Sequence, residues 1–579
     1  MSTAHRGDFA LNARLLRITL MAAVIGGAAT LAARVLLDLI RLFTNLFFFQ
    51  TFSIANRSPA EHTLGAWVIL VPVLGGLIVG VMARFGSDKI RGHGIPEAIE
   101  AILFGKSEMS AKVALLKPVA SGIVIGSGGP FGAEGPIIMT GGAIGSLIAQ
   151  HFHLTSAERK ALLVAGATAG MTAVFGTPVA AVLLAVELLL FELRPRSLLP
   201  VAVACAIAGF TRPLLMTPGP LFPLQTAVPG PLAMLSCVLA GLLSGALAAG
   251  LSLSLYKVED LFGKLSLHWM WWPALGGVAV GIGGWLQPRA LGVGYDVIGD
   301  LLHNHLAIGV VLALLAVKAV IWVIALASGT SGGVLAPLLM MGAGLGVALS
   351  KVLPGNDPAL WPLVCMAATL AGTMRAPLMA AIFAFGLTHD SNALLPLLAS
   401  CAVAYGFTVL LMPRSILTEK IARRGYHIYR EYGVDPLERH FVDEVMTREV
   451  RSIDAAAPLA AVLAEHFGPH QAHRAFPVQR DGRLLGLLDR ARLADCLARV
   501  PAATAADACA STPPLFALPG ETCRLVATRL ARHRIERLPV VQDAQSMRLV
   551  GIVARSDLIK PSLVHFDEEE KRERLLGLP

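Results

Sequence analysis

From about Leu15 to Ala422 the chain is a succession of apolar segments separated by short breaks rich in glycine and proline. A bilayer is crossed by about 20 apolar residues, and five segments come close to or exceed that length: Leu15–Phe49, Leu64–Arg84, Leu232–Tyr256, Ala307–Ala327 and Ala393–Leu411. Others are short or broken: Ile95–Phe104, Ile137–Ala149, Thr177–Leu190 and Leu335–Leu349. Backbone groups without partners are expensive in lipid, so broken helices persist only where protein or a water-filled cavity surrounds them. The composition agrees: 55% of the 579 residues are hydrophobic and only 15% charged, where a soluble chain carries roughly a quarter. A purely soluble enzyme, a disordered chain and a fibrous one are all excluded.

Net charge is +9, from 48 basic and 39 acidic residues. In a membrane protein such an excess marks cytoplasmic ends rather than a nucleic-acid surface, and no nucleic-acid partner is expected. The seven cysteines are scattered without a CxxC, so neither a disulfide framework nor a metal site is implied. Arg6, Arg14 and Arg17 precede the first apolar run without a small-residue cleavage site, which reads as a cytoplasmic N-terminus entering a retained span. After Arg423 charges become frequent and helical and strand-like patterns alternate, as in Phe476–Gln479 and Leu549–Val553. That is a soluble region of domain size.

The membrane part repeats itself. Ser127-Gly-Gly-Pro-Phe-Gly-Ala-Glu-Gly-Pro136 runs into Ile137-Ile-Met-Thr-Gly141, and 201 residues later Ser328-Gly-Thr-Ser-Gly-Gly-Val-Leu-Ala-Pro337 runs into Leu338-Leu-Met-Met-Gly342. Pro178-Val-Ala-Ala181 has a looser echo in Pro377-Leu-Met-Ala380. Paired interrupted segments in two halves of a membrane protein point to a binding site where the halves meet.

Three glycine-bounded turns each open a short helix: Gly92-His93-Gly94-Ile95-Pro96, Gly132-Ala133-Glu134-Gly135-Pro136 and Gly333-Val334-Leu335-Ala336-Pro337. Proline suits a first helical turn, glycine lets backbone amides approach a ligand, and the free N–H groups with the positive dipole end favour an anion. Three such ends would replace an anion's hydration shell yet still release it. Glu134 is the sharpest residue, because a carboxylate inside a membrane is a functional candidate by default. At a helix N-terminus it can take the place of the permeant anion, and its protonation or rotation would vacate that place.

In this order and spacing, GHGIP, GAEGP and GGVLAP resemble the GSGIP, G(K/R)EGP and GxFxP motifs of the CLC family of chloride channels and proton-coupled chloride transporters. Ala173–Ala180 is similar to that family's AAAFNAPLAG segment, and Ser415–Gly425 resembles its last membrane helix. The likeness spans roughly residues 15–425. It implies an all-α polytopic fold of tilted, broken helices in two inverted halves (about 15–217 and 230–425), a homodimer in the lipid bilayer, and one small-anion pathway per subunit. By motif Glu134 takes the gating role, and the amides of Val334 and Leu335 take the anion-coordinating one. This chain departs from the family in four places. His93 stands for the serine ligand, Leu335 for the phenylalanine, Leu417 for the pore tyrosine, and Ala133 for the basic residue before the glutamate. His93 either hydrogen-bonds the anion or packs into a helix junction.

Family antiporters often carry an acid after the glutamate that matches Glu187, although some exchange protons without it. Here Leu188 follows, with Glu192 one turn on as a substitute or merely a charged helix end. The expected function is transport of chloride by a voltage- or pH-gated channel, with proton-coupled antiport as the alternative. A membrane-tethered nucleotide sensor is a distant third reading. No HExxH, CxxC or GxxxxGK[ST] supports an enzyme.

The soluble part resembles a pair of CBS repeats, expected at 441–500 and 505–565. A short cytoplasmic segment (1–14), a linker (426–440) and a charged tail (566–579) complete the expected organisation. Such pairs bind adenine nucleotides or serve as structural tails. Asp557 matches the ribose-binding aspartate, while Ala554 replaces the usual Ser/Thr, and Asp489 and Arg492 stand at the corresponding places of the first repeat. The expected location is a bacterial inner membrane with both termini cytoplasmic.

Overall fold

A computed structural model describes residues 14–355, 357–426, 428, 435–468, 471, 473–510 and 513–560. Residues 1–13, residues 427 and 429–434 of the expected linker, and residues 561–579, with the expected tail, lie outside the described residues. The described residues form two units, 14–428 and 435–560.

The first unit is helical. Its first half comprises α1 (Arg14–Phe49), α2 (Leu70–Phe85), α3 (Ile95–Leu103), α4 (Ala111–Gly126), α5 (Glu134–Gln150), α6 (Ser156–Phe175), α7 (Pro178–Leu184) and α8 (Pro195–Leu215). Its second half comprises α9 (Pro231–Gly263), α10 (Trp272–Leu286), α11 (Tyr295–Leu302), α12 (Ile308–Ala327), α13 (Leu335–Leu349), α14 (Leu360–Met374), α15 (Pro377–Thr388), α16 (Leu394–Leu411) and α17 (Ile416–Ala422).

Among the described residues, six helical stretches are long and apolar enough to cross a membrane. One, Pro195–Leu215, was not among the expected spans, because Pro200, Pro213 and Arg212 interrupt its apolar run. The expected helix from Thr177 is two pieces: α7 continues as a π-helical turn over Ala185–Leu190 and ends at Phe191 with φ +53°.

Two kinds of helix sort by surroundings. On α1, Ile18, Ala22, Ile25, Ala29 and Ala33 are buried, while Leu16, Leu20, Val24, Leu31 and Val35 are exposed. A helix apolar on every side with one face unpacked has its outward side against hydrocarbon. By contrast every residue of α14, and residues 161–175 of α6, are buried. These two are central helices. Small residues let their partners press close: a Cβ on Gly141 of α5 would strike the Gly166 carbonyl of α6. In the other half, a Cβ on Gly342 of α13 would lie 2.6 Å from the Cys365 carbonyl of α14.

The spacing of 201 recurs through the packing. Gly75 presses on Ser127 and Gly276 on Ser328; Gly145 and Gly346, also 201 apart, press on the carbonyls of Leu162 and Trp361, which are 199 apart. Gly132 and Gly333 face each other in an antiparallel bridge, N–H to O=C at 3.1 Å one way and 2.9 Å the other. Equivalent residues exchanging equivalent bonds put a local two-fold axis between them.

The second unit is α/β. Strands β1 (Ile453–Asp454), β2 (Ala475–Arg480) and β3 (Arg483–Asp489) form one sheet, with β1 parallel and β3 antiparallel to β2. β4 (Arg537–Val541) pairs antiparallel with β5 (Leu549–Ala554). Each sheet covers its own apolar core, and Leu484, Val541 and Met547 make a third cluster shared by both repeats. Leu484 N–H to the Met547 carbonyl (2.8 Å) joins the two repeats there.

Candidate anion-binding site

The three glycine turns converge. A Cβ on Gly135 would overlap the His93 carbonyl and lie 3.3 Å from the Gly333 Cα, and one on Gly94 would lie 2.8 Å from the Gly135 carbonyl. Gly94, at φ +91°, is the N-cap of α3, a backbone shape that glycine adopts without a Cβ penalty. Glu134 is the first residue of α5, Ile95 of α3 and Leu335 of α13. So three helix N-termini from two halves of the chain meet at one place. Ile95, Pro96, Ala133, Gly135, Val334 and Leu335 are all buried there.

Glu134 is fully buried, and its Oε1 accepts the Leu335 N–H. The amides of Ala336 and of Glu134 itself also act on the carboxylate, while Oε2 has no hydrogen-bond partner. The carboxylate is folded between Gly132 and Gly333, where a Cβ on either glycine would overlap it. A negative group therefore lies where helix-end amides gather, the position these turns offer an anion. Val334 is the N-cap residue of α13, and the bond itself comes from Leu335.

One expectation is corrected at α3. The Gly94 N–H is not open to an anion: it donates to Glu97 Oε2 at 3.1 Å, the one half of a capping box that a glycine can make. Glu97 in turn is held by Lys420 of α17 (3.2 Å) and by Arg424 (2.9 Å). The reach from α17 back to α3 also sets the surroundings of the first turn, because a Cβ on Gly92 would meet the Lys420 ammonium. His93 is buried, its Nδ1 has no partner, and Lys420, Glu97, Lys117 and Arg424 act on it. Leu417 is buried on α17, which packs on α3.

Two lysines escaped the sequence reading. Lys117 is fully buried and donates to the carbonyls of Ile90 (2.8 Å) and Gly92 (2.7 Å). Lys318, 201 residues on, is equally buried and donates to Ala290 and Gly292, both at 2.9 Å. Each ammonium satisfies the turn before a short helix, α3 or α11, and sets a positive charge behind it. A lysine at matching places, 201 residues apart, inside two apolar helices was the available signal.

The acids weighed for a proton path are engaged elsewhere. Glu187, in the π-helical turn, accepts from the amides of Leu378 (3.3 Å) and Met379 (2.8 Å), and so caps α15. Glu192 accepts from Ser197 Oγ at 2.5 Å and lies 3.6 Å from Arg194, as a helix-end charge. Leu188 is buried. In the second unit Asp557 is buried and already used: Oδ2 accepts the Ala554 N–H (2.8 Å) and Oδ1 pairs with Lys560 (2.7 Å). Asp489 caps its own helix through the Arg492 N–H at 2.8 Å.

Comparison with known proteins places this geometry. The family model for voltage gated chloride channels matches residues 74–409, more than half of the chain, and the CBS domain model matches 442–499 and 505–563. A relative named voltage-gated ClC-type chloride channel ClcB, from Salmonella dublin, is 30% identical over 434 residues, covering 73% of this chain and 100% of the relative. Another, named H(+)/Cl(-) exchange transporter ClcA, from Salmonella paratyphi A, is 24% identical over 385 residues, 63% of this chain and 80% of the relative. Among solved structures, one titled a slow cyanobacterial Cl-/H+ antiporter has the same fold, with a TM-score of 0.60 and 22% identity, over 72% of this chain and 99% of that one. With two converging halves, a buried carboxylate at their meeting point and these matches, the chain belongs to the voltage-gated chloride channel (CLC) family of anion transport proteins and carries two CBS domains.

Proposed function

We propose that this protein conducts chloride and similar small anions passively across a bilayer, with Glu134 as the gate. The observation that carries this reading is the Glu134 carboxylate on the Leu335 amide, between Gly132 and Gly333. An ionised carboxylate there competes with the permeant anion for the same dipoles, and neutralising or moving it frees them. Passive conduction is supported by the lack of an acid at Leu188 and by the engagement of Glu187 and Glu192 as helix-end groups. Proton-coupled exchange is the second reading. It is favoured by the same competition, since one site alternately filled by a carboxyl group and an anion is what exchange requires, and by the relative named as an exchange transporter.

Liposomes holding the purified protein separate the two when anion efflux and proton movement are recorded together. Efflux without proton uptake supports the channel. Uptake in fixed ratio to chloride release overturns it in favour of exchange, and no efflux of either kind overturns both.

Three further parts of the reading belong with it. The protein works as a homodimer with one pathway per subunit, as its family likeness suggests. Both termini lie on the cytoplasmic side of a bacterial inner membrane, a reading supported by Lys420, Arg423 and Arg424 at the end of the last helix. The CBS pair is primarily a structural tail, because Asp557 already binds Ala554 and Lys560. An adenine nucleotide that raises the melting temperature of the intact protein would reverse that last point.

A further inference from the structure

The repeat gives the anion-binding turn a counterpart that the gate does not account for. Gly92-His93-Gly94-Ile95 opens α3, and 200 residues later Gly292-Val293-Gly294-Tyr295 opens α11, with a buried lysine behind each turn. Both glycine pairs keep positive φ: +75° and +91° in the first, +63° and +76° in the second. Gly294 presses on Met340 of α13, the helix whose first amide holds Glu134. The counterpart turn therefore sits beside the gate, and it presents a phenol where the first turn presents an isoleucine.

That phenol is fixed but unsatisfied. The Tyr295 ring lies at steep angles to Phe175 (6.3 Å between centroids, 78°) and Phe222 (6.2 Å, 64°). Such edge contacts hold a ring in place. Its hydroxyl is buried and makes no hydrogen bond, although a buried tyrosine hydroxyl usually finds a partner. Glu134 Oε2 is another buried oxygen without one, and the two groups are within electrostatic reach. Ala133, immediately before Glu134, and Tyr295 line the same cavity of about 580 Å³. The small alanine leaves room there for a carboxyl group to swing.

We propose that Tyr295 is a positioning residue for the open state, its hydroxyl donating a hydrogen bond to the Glu134 carboxyl group once that group has left the Leu335 amide. The proposal rests on Glu134 being the gate. It gives each of the two unsatisfied oxygens a partner in the state the present geometry does not show. The charged groups nearby are occupied with other partners. Lys318 of α12 holds two carbonyls, Asp296 of α11 takes the Ser58 hydroxyl, and Arg212 of α8 donates to Ala173 and Gly219. On α1, Arg34 and Arg41 share Asp38. Arg57 and Glu61 also line the cavity, and His93 faces the far side of the Gly135 turn.

The test is anion efflux from liposomes between pH 5 and 8 for the parent, Tyr295→Phe, Glu134→Gln, Glu134→Ala and the Tyr295→Phe/Glu134→Ala double variant, each checked for an unchanged melting temperature. Phenylalanine keeps the ring contacts and removes only the hydroxyl. Tyr295→Phe is expected to slow efflux roughly three- to tenfold, the effect of one hydrogen bond, and to move its rise on acidification about half a unit to one unit lower in pH. In the Glu134→Ala background, where no side-chain acceptor remains, it should change nothing. An unchanged rate and pH profile for Tyr295→Phe overturns the proposal, as does equal slowing in both backgrounds, which would mean the phenol acts without Glu134. If Glu134→Gln keeps the parent's pH response, the gate reading itself fails, and the Tyr295 assignment falls with it.

Discussion

The Glu134 carboxylate is bonded to the amide of Leu335, the residue 201 positions later and its counterpart in the internal repeat. A group near a local two-fold axis reaches the equivalent group of the other half, which is why one acid serves both helix ends. Two acids would face each other across the axis and repel, while two leucines would leave the amides without a competitor. The proposed gate is thus a break of symmetry at the place where symmetry is closest.

The buried lysines should matter to stability in equal measure. Lys117→Met and Lys318→Met each strand two carbonyls that now receive an ammonium. At about 1–3 kcal/mol for an unsatisfied buried group, both variants should melt several degrees lower in detergent. A variant that melts like the parent would mean water reaches that turn.

Replacing His93 by serine tests whether the buried imidazole faces the anion. Its Nδ1 has no protein partner, so the expected result is a shift of roughly two- to tenfold in the ratio of chloride to nitrate efflux. An unchanged preference order makes His93 a packing residue.

In the CBS unit one acid carries a pH signature of known sign. The Thr504 amide (2.8 Å) and hydroxyl (2.7 Å) both donate to Asp507, holding its carboxyl below the ordinary aspartate value. A depressed carboxyl stabilises the fold above its unfolded pKa of about 4 and loses that contribution as pH falls through the folded value. Asp507→Asn should therefore speed amide exchange of the Ala505–Cys509 helix at pH 7, by an amount that shrinks as pH falls below the ordinary aspartate range. Equal effects at pH 7 and near pH 3 would contradict the linkage.

Much of this architecture is written in local pattern. The Ser127 and Ser328 segments place the two-fold axis, and Glu134 between glycines marks the buried carboxylate that the structure puts on the Leu335 amide. Lys117 and Lys318 left a signal as well, as lysines 201 residues apart within two apolar helices, although the sequence reading passed over it. Other features were not legible. Residues 156–175 are dominated by alanine, glycine and threonine, and a helix buried on every side shows no amphipathic stripe. Pro200 and Pro213 break the apolar run of α8 without breaking the helix. The closure of α3 by Glu97 uses glycine where a capping box usually shows serine or threonine. Its tie to Arg424 spans 327 residues, which no local pattern announces.

The central claim is that anion and carboxylate share one position. Crystals of the parent and of Glu134→Gln soaked in bromide, both near pH 8, test it by anomalous scattering. The expected result is a bromide peak within hydrogen-bond distance of the Leu335 amide in Glu134→Gln and none there in the parent. A peak at that amide in the parent with the Glu134 carboxylate still bound, or bromide found only away from the three helix ends in both crystals, would contradict it.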